Sequence, residues 1–296
     1  GNPARLAQLR EADALVVVAA AFDGADPAKE VKAFRDDLVL ADLEIVSNGL
    51  EKVREQNKRP VPKQQHEIYE FEIDVLETIQ QALESNMPLR DIAFREEQQR
   101  ICRGFRLMNR KPWMVLVNTP DDEADPARIA AAVSECVKKQ SPAAGTDAVS
   151  PDTVSSDTVP SDTVPVLAVS CRLEQDLAKM TPEERVAFLC EMELVASDRD
   201  AVLRRIMDVS GQMLFLTAGE KEVRTWLVRK GGTALDAAGE IHTDMAKGFI
   251  RAEVTKCDDL VRLGGERAVK AENLVRREPK DYVIQEGDVL LFHFSG

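Results

Sequence analysis

FLTAGEKEVRTWLVRKGGTALDAAGEIHTDMAKGFIRAEV, residues Phe215–Val254, and KDYVIQEGDVLLFHF, residues Lys280–Phe294, decide how the last third of this chain folds. A strand pattern opens at Phe215, and Trp226 and Phe249 read as core aromatics. Arg229-Lys230-Gly231-Gly232 sets two cations beside a glycine turn, where they can meet RNA phosphates. The same residues also read as a solvated basic edge, because Glu220, Glu222 and Asp244 lie close in sequence. His242 reads as a loop histidine capping Thr243 or Asp244, with a contact role as the alternative.

Charge separates this third from the rest. Residues 211–296 carry 13 Lys+Arg against 14 Asp+Glu, a net of −1, whereas the whole chain carries 39 against 52, a net of −13. Residues 1–210 therefore hold −12 (26 basic, 38 acidic). A balance of that sign argues against general nucleic-acid binding. The near-neutral last third leaves room for a local basic face.

Working towards the N-terminus, a short helix is expected at Asp198–Val209 and another from Thr181 to about Met192. Thr181-Pro-Glu-Glu supplies an N-cap, a proline at the first helical position and an acidic first turn. Arg172–Met180 is helix-like as well. Residues 141–165 differ in kind: DAVSP, DTVSS, DTVPS and DTVP form a five-residue repeat rich in Ser, Thr, Pro and Asp. Such a segment buries too little apolar surface to offset its ordering entropy, so a disordered loop is expected. Its hydroxyls can accept phosphate, but nothing in the sequence demands it.

Three continuous apolar runs, Ala14–Ala21, Pro112–Val117 and Val164–Val169, read as strands of a parallel sheet buried on both faces. Each is followed by a helical pattern, which suggests an α/β layer. Between the first two runs, Asp36–Gln56 and His66–Ser85 carry helical apolar stripes separated by Pro60 and Pro62. They predict a helical hairpin of the antiparallel coiled-coil type. Gly49 weakens its first arm without stopping it. A third helical piece, Arg95–Leu107, leads back to the sheet.

No run of 18 apolar residues predicts a membrane span, and no signal-peptide pattern opens the chain. The five cysteines match no zinc or C-x-x-C spacing and read as reduced thiols of a cytoplasmic protein. The three histidines at 66, 242 and 293 are too scattered to suggest a metal site.

Several strings resemble the YchF, or Obg-like ATPase, family of P-loop NTPases. NPARLAQLREADA (Asn2–Ala14) is similar to the family segment after the D-x-x-G of switch II, and LVLADL (Leu38–Leu43) to the start of its helical insertion. RKPWMVLVNTPDD (Arg110–Asp122) resembles the segment ending in the base-reading motif, and VSCRLEQDL (Val169–Leu177) the segment that packs near the base. TAGEKEVRTW and IHTDMAKGFIRAEV are the densest likeness, to the family's C-terminal TGS domain.

The resemblance implies a partial G-type parallel α/β domain at 1–37 and 109–210, a helical insertion at 38–108, and a TGS (β-grasp) domain at 211–296. It implies a nucleotide-binding protein linked to translation, with base contacts from Asn118, Asp121, Ser170 and Cys171. An Asn ending a buried strand offers its amide to a purine edge, and an acid three residues later accepts from ring or exocyclic N–H groups. NTPDD also reads as an ordinary turn after a strand. The family usually has Glu, associated with ATP, where Asp121 stands, so ATP and GTP both remain open. Ribosome or rRNA contacts are expected from the TGS residues Arg224, Arg229, Lys230, Lys247 and Arg251, with no membrane partner and no specific DNA.

No G-x-x-x-x-G-K-[ST] loop occurs in the 296 residues. Phosphates and Mg²⁺ are held in this class by that loop. Nucleotide with Mg²⁺ is therefore expected only if such a region is supplied, and hydrolysis by this chain alone is expected to be absent. Gly1 rather than Met opens the sequence, so the chain is expected to be a fragment of a longer YchF-like protein. A degenerate adaptor without nucleotide chemistry is the alternative, and a scaffold using the hairpin a third. An uncovered Ala14–Ala21 strand would then be an apolar sheet edge.

Overall fold

The computed structural model describes residues 3–123, 125–139, 164–192, 199–219 and 222–295. The repeat loop expected at 141–165 lies outside the described residues except for Val164 and Pro165. The fold is mixed α/β, with one parallel and one mixed sheet, divided into two compact units at Ser210/Gly211.

The first unit opens with helix α1 (Pro3–Glu11) and is built on strands β1 (Leu15–Ala20), β2 (Trp113–Asn118) and β3 (Val166–Val169). All three are parallel, with β2 in the middle. One face is covered by α2 (Pro27–Asn57) and α5 (Pro126–Lys139), whose Val31, Val133 and Val137 join Val17, Ala19, Val115 and Val117 in one core. The expectation that β1 is buried on both faces does not hold. Leu15, Val17 and Ala19 are buried, but Val16 is exposed and Val18 is 61 % exposed. The reason is position: β1 is an edge strand, and only the face towards α2 and α5 is covered by that core.

Helix α2 begins nine residues earlier than its apolar stripe predicts. Asp26 caps it, its carboxylate accepting from the Ala28 and Lys29 N–H groups, and Pro27 opens the first turn. The helix runs 31 residues, from the sheet into a hairpin with α3 (Lys63–Glu84). Val46, Leu50 and Val53 of one arm meet Val75, Leu76, Ile79 and Leu83 of the other. The short helix α4 (Glu96–Phe105) closes this core with Cys102. Gly49 is required there, since a Cβ would run into the Phe105 ring of α4.

At the hairpin's root sits Asp42, fully buried. Its Oδ1 accepts from Arg10 Nη1 at 2.9 Å and Met108 N–H at 3.1 Å. Its Oδ2 accepts from the backbone N–H and side-chain amide of Asn109 at 2.9 and 3.0 Å. One carboxylate thus ties α1, the middle of α2 and the turn before β2, with all its charge compensated.

After β3 come α6 (Cys171–Leu177), α7 (Pro182–Glu191) and α8 (Arg199–Ser210). Thr181 forms the expected cap of α7 as a reciprocal box with Glu184.

The second unit holds β4 (Gln212–Ala218), β5 (Val223–Arg229), α9 (Ala234–Ile241), α10 (Thr243–Lys247), β6 (Phe249–Lys256), α11 (Cys257–Leu263), α12 (Glu266–Ala271), β7 (Arg276–Glu278) and β8 (Asp288–Phe294). Sheet order is β5-β4-β8-β6-β7, with the β4–β8 pair parallel and the rest antiparallel. Alanines 234, 237 and 238 let α9 approach the sheet closely over Phe215, Val254, Leu290 and Phe292. Phe292 meets Phe215 and Phe249 edge-on, and Trp226 packs on the same core, its indole N–H donating to Thr217. The buried Asp288 carboxylate accepts from Tyr282 Oη and Gln285 N–H and is ion-paired to Lys256 at 2.8 Å.

Candidate functional site

Ligands of parallel α/β sheets bind beyond the carboxyl ends of the strands, where loops and helix starts converge. In this chain that edge is formed by Ala20, Asn118 and Val169, the last residues of β1, β2 and β3 and cross-strand neighbours in register. Three of the four base-site residues expected from sequence meet directly. Asn118 Oδ1 accepts from the Cys171 N–H at 3.0 Å, which fixes the orientation of the amide. Its Nδ2 is left as a donor with no hydrogen-bond partner among the described residues. Ser170 is buried and its Oγ caps α6, accepting from the Leu173 N–H at 3.2 Å. Ser170 therefore holds the loop in place with its hydroxyl already engaged.

The fourth, Asp121, joins through a residue the sequence reading missed. Arg172 Nε lies 3.3 Å from Asp121 Oδ2. The signal was available, since Arg172 follows Cys171 directly, but an exposed ion pair between a turn and the start of α6 leaves no periodicity to read. Arg172 also contributes to holding the exposed Asp176 carboxyl below its ordinary value, behind the larger effect of a hydrogen bond from Lys179.

Around this edge the backbone is well anchored. Thr119 N–H donates to Val169 O, and Ala21 N–H to Asn118 O. Glu30 of α2 accepts from the Ala20 N–H at 2.9 Å. Asp125 Oδ1 accepts from the Arg128 N–H in the first turn of α5. Thr119 Oγ1 is buried without a hydrogen-bond partner among the described residues, a cost of about 1–3 kcal/mol in an apolar setting. The Asn118 amide donor and the Asp121 carboxylate suit the mixed donors and acceptors of a purine. Among the described residues no group of three or more His, Cys, Asp or Glu is placed to hold a metal ion.

The five basic residues expected to meet RNA are not drawn into one patch by the strand register. Arg229 and Lys230 are adjacent at the end of β5, while Arg224 lies near its other end, about 17 Å away by strand rise. Arg251 is on β6, with β4 and β8 between it and β5. Arg224 is paired with Glu222 at 2.9 Å, and Lys247 with Asp244 at 3.6 Å. Arg251 Nε is buried without a hydrogen-bond partner among the described residues. His242 caps α10, its Nδ1 accepting from the Asp244 N–H at 3.2 Å.

The family model YchF-GTPase_C, described as a protein of unknown function (DUF933), matches residues 213–295. The "Ribosome-binding ATPase YchF" of Bacillus subtilis (strain 168) is 33% identical over 300 residues, covering 98% of this chain and 75% of that protein. The "Obg-like ATPase 1" of Oryza sativa subsp. japonica is 31% identical over 306 residues, covering 100% of this chain and 71% of that one. The solved structure of the Schizosaccharomyces pombe YchF GTPase superposes with a TM-score of 0.77 at 25% identity, over 99% of this chain and 75% of that one. With identity of this level along nearly its whole length, and the same fold, the chain belongs to the YchF/Obg-like ATPase family.

Proposed function

We propose that this chain is a nucleotide-binding protein of the ribosome-associated kind, taking the purine base of ATP or GTP at the Asn118 edge. The observation that supports this most is the Asn118–Cys171 clasp, which spends the amide's oxygen internally and leaves its nitrogen to donate to a ring acceptor. Asp121 accepts from purine N–H groups. Ser170 and Cys171 position the loop. The base end of the ligand is therefore provided for by residues of this chain. Phosphates and Mg²⁺ require a G-x-x-x-x-G-K-[ST] loop, which these 296 residues do not contain, so hydrolysis by them alone is expected to be absent.

Residues 211–296 act as a TGS module that meets the ribosome or rRNA through Arg224, Arg229, Lys230, Lys247 and Arg251 in this reading, and 38–108 as the helical insertion. The ribosome link is supported by the name of the bacillary relative. It implies a cytoplasmic protein, and among the described residues no helix is long and apolar enough to cross a membrane.

Cosedimentation with ribosomes at two salt concentrations, with and without ATP or GTP, tests the proposal. Ribosome binding that weakens with salt and shifts with nucleotide is expected. Binding indifferent to nucleotide would favour the second reading, a non-enzymatic ribosome adaptor, which the lack of a phosphate loop in the 296 residues favours. No sedimentation at low salt would sink both.

A further inference from the structure

We propose that the outer edge of β5 takes up an extended peptide strand of aliphatic side chains flanked by two acids five residues apart. The inference concerns the second unit alone and goes beyond the ribosome reading above, because it gives Arg224 and Arg229 a protein partner. β5 is an edge of its sheet: β4 lies on one side, and among the described residues no strand lies on the other. A sheet edge turns alternate backbone N–H and C=O groups outwards, a template for one more strand. The opposite edge, β7, is only three residues long, whereas β5 runs for seven.

Register and burial say which strand fits. Trp226 and Val228 turn towards the core, so Val223, Thr225, Leu227 and Arg229 share the open face. Val223 is 67% exposed there and Leu227 48%. Leu227 pairs across the strands with Leu214, and Leu216 of β4 and Leu291 of β8 extend the same face. The open side of β4 and β5 is thus aliphatic and carries no aromatic ring, so it offers RNA bases nothing to stack on. Apolar side chains of an added strand continue it instead. Charge selects further, since residues 223–230 hold Arg224, Arg229 and Lys230 and no acid. Pairing with a second copy would set three cations against three, which destabilises a ladder. An incoming strand with acids opposite Arg224 and Arg229 is favoured by the same rule. Its acid shares the Arg224 fork with Glu222, 2.9 Å away.

The test titrates the isotope-labelled full chain, followed by NMR, with the capped peptide Glu-Thr-Ile-Thr-Val-Glu-Val. In antiparallel register its acids stand opposite Arg229 and Arg224. The counterpart Lys-Thr-Ile-Thr-Val-Lys-Val and an oligouridylate are titrated in parallel. The acidic peptide should shift the amides of Val223–Arg229 and slow their exchange, while those of β7 stay unchanged. The Lys counterpart should bind about fivefold more weakly. In the double variant Arg224→Glu/Arg229→Glu the preference should reverse, which an unfolded chain cannot mimic. If that variant fails to fold, the two peptides on wild type still decide. No shift with the acidic peptide, shifts confined to other elements, equal binding of the two peptides, or an unreversed preference in a folded double variant overturns the inference. Oligouridylate taking the β5 amides in place of the peptide also overturns it, and leaves the ribosome reading standing. Exchange protection of those amides that rises with protein concentration, without peptide, overturns it too, because a second copy then holds the edge. The ribosome reading itself is decided separately, by the cosedimentation above.

Discussion

Two side chains show how much a single residue decides in this chain. Asp42 compensates four donors from two segments inside the protein. Replacing it with Ala strands the Arg10 guanidinium and the N–H groups of Met108 and Asn109. A loss of about 3–5 kcal/mol is expected, measured by chemical denaturation. Asn118→Ala acts locally instead. It removes the acceptor of the Cys171 N–H, so stability should fall by about 1 kcal/mol while purine-nucleotide affinity drops roughly tenfold. An Asn118→Ala chain that binds nucleotide as well as wild type would remove the base site from this edge. That Asn118 ends a strand was legible in sequence, because the apolar run stops there. The Arg172–Asp121 pair was not, because its members stand 51 positions apart, one in the first turn of α6 and one in the turn after β2. Neither burial nor period marks such a pair in one dimension.

Elements were legible where one pattern dominated and obscure where position in the sheet decided. The three parallel strands announce themselves as continuous apolar runs. Such a run looks the same on both faces, however, so it cannot tell that β1 lies at an edge with Val16 and Val18 uncovered. The start of α2 was misplaced because residues 27–35 carry few apolar positions, and the Asp26-Pro27 cap was the better signal. Gly49 looked like a weak point of that helix and is a packing requirement instead. Gly49→Ala gains about 1 kcal/mol of helix propensity but drives a methyl into Phe105, at a cost of about 1–3 kcal/mol. Net destabilisation is expected, with recovery in the double variant Gly49→Ala/Phe105→Leu, read from denaturation midpoints. In α7 the Thr181 backbone N–H, then its hydroxyl, hold the Glu184 carboxyl below its ordinary value of 4.5. A lowered folded value means that the box strengthens the helix above pH 4.5 and fades as acid titrates Glu184 through its folded value. Amide protection in α7 should therefore be higher in wild type than in Glu184→Ala near neutrality, and the two should converge in acid.

At the scale of the molecule, the second unit carries its own core. Phe215, Leu290 and Phe292 pack with α9, and the Asp288 network closes through Tyr282 and Lys256, all within 211–296. Residues 211–296 expressed alone should fold cooperatively, with a dispersed NMR spectrum, and Asp288→Ala should unfold that piece by removing a buried charge partner of Lys256. A molten spectrum for the wild-type piece would show that its core needs the rest of the chain. The first unit has a different property, set by α2. One helix of 31 residues, about 46 Å long, is seated against the parallel sheet at its start and forms one arm of the hairpin at its end. Asp42 pins it near the middle. That makes α2 a rigid lever with a fulcrum: a tilt of about ten degrees around Asp42 carries Asn57, about 22 Å away along the axis, through roughly 4 Å. Glu30 of the same helix, which holds the end of β1, lies about 18 Å on the other side of that fulcrum, so the same tilt moves it by about 3 Å in the opposite direction and couples the sheet edge to the hairpin tip.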